Sequence, residues 1–73
     1  MTIKEAIENG KELITAWQMA YFAQDPNLME IIRRKRAAFE ASLMREYDKD
    51  FVCEYFKVID TLDEFNFKYL KNR

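Results

Sequence analysis

The sequence predicts an all-α protein, a small antiparallel three-helix bundle with helices at about 3–24, 26–47 and 51–70. Three observations carry this reading. Apolar residues recur in steps of three and four along most of the chain, a spacing that holds them on one helical face. One glycine and one proline leave little to interrupt helices. Asp25-Pro26 and Asp48-Lys49-Asp50 cut the pattern into three stretches of similar length.

The first helix starts at a capping box. The Thr2 hydroxyl suits the third helical amide, and the Glu5 carboxylate can reach back to the Thr2 amide. Ile3, Ile7, Gly10, Ile14, Trp17 and Tyr21 then keep one phase. Asn9-Gly10 could be a break, because glycine often ends helices, but the phase continues across it. A continuous helix to Gln24 is therefore expected. Gly10 on its apolar face would admit another helix closely, at a propensity cost of about 1 kcal/mol relative to alanine.

Asp25-Pro26 is a corner. Proline disfavours helix in the residue before it and suits the first turn of a new one, which Asp25 can cap. A short corner of this kind joins two antiparallel helices. Leu28, Ile31, Ile32, Phe39 and Leu43 mark the expected buried side of the second helix. Lys35, Ser42 and Glu46 fall on the same side, where the Lys35 stem could lie along the core edge with its ammonium in water.

The third helix is expected to start at Phe51 with Asp50 as its cap. Phe51, Tyr55, Val58, Leu62, Phe65 and Tyr69 form one flank; Val52, Phe56, Ile59 and Leu70 form another. An arc this wide calls for two neighbours, so the third helix is expected to sit between the other two. Thr61 and Glu64 match a second capping box, but the apolar phase runs through it. Asp63 and Asn66 invade the arc, which marks where it reaches solvent; the alternative is polar contacts that fix register in an oligomer. The alternative architecture is one helix followed by a single long helix from Pro26 to about Leu70. That rod would be roughly 65 Å long and would need an intertwined dimer to bury it.

Seventy-three residues make one helical domain, 1–73, with 49% hydrophobic and 34% charged residues. A core of this size is marginal, so association with a second copy or another protein would stabilise it. Twelve basic and 13 acidic residues give a net charge of −1, which supplies no general attraction to nucleic acid or anionic membranes. The N-terminus lacks signal-peptide character, and the apolar run Ala16 to Ala23 is too short to span a bilayer. A single cysteine suits a reducing compartment. A cytoplasmic, non-membrane protein is the simplest expectation.

The chemistry available is narrow. The chain has no histidine, the usual general base and commonest metal ligand. Asp48-Lys49-Asp50-Phe51 lacks the glycine and the alternating oxygens of a calcium loop. No enzyme activity, cofactor or metal is expected. Cys53 is expected to be a buried structural thiol. The run Arg33, Arg34, Lys35 and Arg36 is the candidate nucleic-acid contact. Four consecutive helical residues spread around the whole circumference, however, and Glu30 can pair with Arg34 one turn on. Met19 and Phe22 lie on the charged side of the first helix, off its stripe. Either they tuck under the corner against Leu28 or Met29, or Met19, Phe22 and Met29 form an apolar surface for a partner. The expected function is a protein–protein interaction module, a regulator, adaptor or inhibitor. The alternative is a small nucleic-acid-associated regulator using the basic run.

Overall fold

The computed structural model describes the backbone of residues 1–71 and the side chains of residues 1–64. Three helices follow one another: α1 (Ile3–Phe22), α2 (Pro26–Glu46) and α3 (Lys49–Lys71). They form the expected all-α three-helix bundle, with no strand among the described residues.

Local chemistry sets each start. Thr2 Oγ1 accepts the Glu5 amide at 3.1 Å, while Glu5 Oε1 accepts the Thr2 amide at 3.1 Å, completing the capping box. Helix α1 then runs unbroken through Gly10. Asp25 Oδ1 accepts the Leu28 amide at 3.0 Å and caps α2, with Pro26 in its first turn.

Helix α1 ends at Phe22, short of the expected Gln24. Gln24 adopts φ 56°, the left-handed conformation that glycine usually supplies. The Gln24 amide donates to the Tyr21 carbonyl at 3.0 Å and the Asp25 amide to the Ala20 carbonyl at 3.1 Å. That pair of bonds is the Schellman termination, here built on glutamine.

Between α2 and α3 the chain turns, which rules out the single long helix. Tyr47 is extended at φ −122° and ψ 161°, so the helical ladder stops there. The cap of α3 is Asp48 rather than the expected Asp50, because Asp48 Oδ1 accepts the Phe51 amide at 2.9 Å. The Tyr47 and Phe51 rings stack across this cap, centroids 4.2 Å apart, and fix the entry angle. No cap forms at Thr61: α3 continues through it, and its hydroxyl donates to the Lys57 carbonyl at 2.8 Å.

The core comprises Ala6, Ile14, Leu43, Tyr55 and Ile59, with Ile3, Ile7, Phe39, Tyr47, Phe51, Phe56 and Leu62 packed around it. The helix in the middle is α1, not α3: α1 packs extensively on both partners, which meet each other only sparsely. The reason is residue size. Ala6, Gly10 and Ala20 are the fully buried positions of α1 beside Ile14, and small side chains let two helices approach one surface. At Gly10 the approach is so close that an added Cβ would lie 2.6 Å from Tyr55 Oη and 2.7 Å from Ile59 Cδ1. Tyr55 and Ile59 sit at the centre of the α3 arc, with Phe51 and Val58 half-buried on one flank and Val52 and Phe56 on the other. The expected roles of Phe65, Asn66, Tyr69 and Leu70 lie outside the described side chains.

Two expected core positions are exposed. Leu28 and Ile31 face solvent, while their neighbour Ile32 is buried. Two consecutive helical residues diverge by about 100°, so a helix packed on one side cannot bury both Ile31 and Ile32. Tyr21 is likewise 42% exposed, and Ala20 takes its place inside.

Candidate functional site

The α1–α2 corner gathers apolar side chains that the bundle does not cover. The tight turn at Gln24 and the cap at Asp25 bring the last turn of α1 against the first turn of α2. Met19 and Phe22, one turn apart on the outer face of α1, are 67% and 45% exposed. They are not tucked beneath the corner. Phe22 and Met29 instead line, with Tyr21, Gln24 and Pro26, a solvent-open hollow of about 420 Å³. Met29 is half-buried at its edge. A run of rings leads into it: Trp17 stacks on Tyr21 at 5.6 Å, and Tyr21 meets Phe22 edge-on at 5.8 Å. Trp17 is half-buried, so the run passes from the packed region of α1 to its surface. Stepping about 100° per residue puts Ile31 on the flank of α2 away from Met29, with Leu28 between them. These two extend the apolar character of the corner to a second side.

The basic run divides into two unlike groups. Arg33 donates from Nε and Nη2 to Glu30 at 2.9 and 2.7 Å, and Arg34 donates from Nε to the same carboxylate at 3.0 Å. Hydrogen bonds from Arg33, then Arg34, hold the Glu30 carboxyl down at about 2. The same contact raises the Arg33 guanidinium. Lys35 is exposed and does not lie along the core edge.

Arg36 takes that place instead. Its guanidinium spans α2 and α3, donating from Nη1 to Asp63 Oδ1 at 2.9 Å, from Nη2 to Asp63 Oδ2, and from Nε to Glu40 at 3.1 Å. Glu40 in turn accepts the Tyr55 hydroxyl at 3.0 Å. Burial opposes the charge on Arg36, but its bonds to Asp63 and Glu40 outweigh that and raise its pKa. Burial, reinforced by the Glu40 charge, pushes the Tyr55 hydroxyl up. Asp63 accepts a two-pronged contact between helices of one chain, and its side chain stays 40% exposed at the edge of the apolar arc. With this group assembled, the described side chains leave no buried polar atom without a partner.

The other candidates are simply placed. Cys53 is a free, exposed thiol rather than a buried one, because it sits on the outer side of α3 away from Tyr55 and Ile59. Among the described residues, no group of three His, Cys, Asp or Glu side chains could hold a metal ion. No helix, among the described residues, is long and apolar enough to cross a membrane.

Sequence reasoning reached Met19 and Phe22 because they stand off the α1 stripe. It missed the contribution of Tyr21 and Pro26 to the hollow, and the exposure of Leu28 and Ile31. The adjacency of Ile31 to Ile32 was the available signal. No family model, curated protein or solved structure matches the chain.

Proposed function

We propose that the protein is a non-enzymatic protein–protein interaction module, working in a reducing compartment such as the cytoplasm, whose binding surface is the α1–α2 corner. One observation carries the reading: Tyr21 and Phe22 stand exposed on a hollow at the α1–α2 corner, with the exposed Met19 one turn from Phe22. Aromatic and methionine side chains are among those enriched at the centres of interfaces, where they contribute large apolar contact area. A binder of this kind acts by occupying a surface, as a regulator, adaptor or inhibitor does.

The basic run supports the nucleic-acid reading less well. Arg33 and Arg34 share one carboxylate, and Arg36 is held by two. A phosphate would have to compete with those partners.

The test compares the wild-type chain with Phe22→Asp and Arg34→Glu, each checked for helical content by circular dichroism. Every association the wild type forms, with itself or with proteins of an extract, should weaken at least tenfold in Phe22→Asp and persist in Arg34→Glu. Associations that survive Phe22→Asp would overturn the reading. A wild type that binds duplex DNA at low salt through Arg34 would put the alternative in its place.

A further inference from the structure

Charge is distributed very unevenly along this chain. Of its 12 basic and 13 acidic residues, only Asp25 lies between Leu13 and Met29. Asp25 is already engaged as the cap of α2. The corner is thus an electrically quiet zone in a chain that is otherwise one-third charged.

That quietness bears on what covers the corner. A two-fold contact sets a patch against its own copy, so any charge near the axis meets the same sign. A patch whose one charge is the capping Asp25 keeps that repulsion to a single like pair, whereas patches that choose an unlike partner commonly use charge to do so. The shape points the same way. Met19 projects, 67% exposed, one helical turn from Phe22, which lines the hollow. A projection and a recess on one patch let two copies fill each other reciprocally.

We propose that the occupant of the corner is a second copy of the chain, joined about a two-fold axis with each Met19 seated in the other copy's hollow. The inference rests on the corner being the binding surface and names its partner. Sedimentation equilibrium of the purified full chain tests it. The wild type should approach twice the monomer mass of 8.9 kDa as concentration rises. Phe22→Asp should weaken self-association at least tenfold with helicity unchanged. Should that variant unfold, Met19→Glu replaces it, since Met19 is the more exposed side chain. Met44→Asp, at an exposed apolar residue near the far end of α2, should leave the dimer intact. Oxidation of a mixture of Cys53→Ser, Met19→Cys and Cys53→Ser, Met29→Cys chains should give a disulfide-linked pair, and a Cys53→Ser, Met44→Cys chain should not. A wild type that stays monomeric at the highest attainable concentration overturns the second-copy inference, as does a dimer that Met44→Asp dissociates and Phe22→Asp does not. A monomeric wild type whose association with another protein still depends on Phe22 would overturn this inference alone and leave the corner as the binding surface.

Discussion

The core around Gly10 and the α1–α2 corner use similar side chains to opposite effect. In that core, Leu43, Tyr55 and Ile59 are at most 1% exposed. At the α1–α2 corner, Tyr21, Phe22 and Leu28 are 42–45% exposed. Hydrophobicity alone does not separate these sets. What separates them is how completely the described neighbours enclose them. Around Gly10, α1 is thin enough for α3 to close on it, and Leu43 of α2 completes the enclosure. At the corner, the last turn of α1 meets the first turn of α2 around an open hollow.

The strongest way to break this contrast is to make one deletion in both regions. Leu43→Ala should cost about 3 kcal/mol, since it leaves a cavity in a closed core. Leu28→Ala should cost about 0.5 kcal/mol, since much of its surface, 42%, is in water already. Urea denaturation of the two variants gives both values, and equal losses would mean that the corner is packed as tightly as the core.

Gly10→Ala probes the closure itself. Alanine gains about 1 kcal/mol of helix propensity over glycine. Its methyl group would also press on Tyr55 Oη, which its bond to Glu40 restrains, and on the fully buried Ile59. Overpacking of that kind costs about 1–3 kcal/mol. The core contact should win, for a net loss of about 1 kcal/mol by thermal or chemical denaturation. A stabilised variant would show that α1 and α3 are further apart than described.

At the corner the sign reverses. Gln24 holds a left-handed backbone that costs an L-residue about 1–2 kcal/mol, and glycine relieves it at some expense in unfolded-state entropy. Gln24→Gly should stabilise the chain by about 0.5 kcal/mol, again by denaturation, and a loss would mean that the glutamine side chain contributes more than its backbone costs.

Much of the fold was legible because helix starts are local. Thr2, Glu5, Asp25 and Pro26 each act within four residues, and each behaves as its position implies. Helix ends were harder to read. Nothing in the composition of Ala23-Gln24-Asp25 announces a left-handed residue, and Asp48 and Asp50 are equivalent until the Tyr47–Phe51 stack selects between them. Buried faces were legible only to within a flank. Large side chains dominate any reading of periodicity, whereas three of the four buried positions of α1 are Ala6, Gly10 and Ala20. The Arg36–Asp63 contact joins residues 27 apart in sequence and depends on where α3 docks. At the corner, Met19 and Phe22 stood out because they depart from a local pattern. Leu28 and Ile31 fitted a local pattern that tertiary packing then overrode.

The close approach at Gly10 also gives the bundle a keyed alignment. Helices with smooth apolar faces can slide past each other by a turn and still bury similar area. Here the chain has one glycine, and the Tyr55 hydroxyl and the Ile59 methyl both lie over it. A slip of one turn along α1 would carry Tyr55 from the notch to Ala6 or Ile14, where side-chain carbon already occupies the space. It would also pull Tyr55 from Glu40 and Asp63 from Arg36. One missing methyl group and four polar side chains thus select a single alignment of the helices from several that hydrophobicity would tolerate.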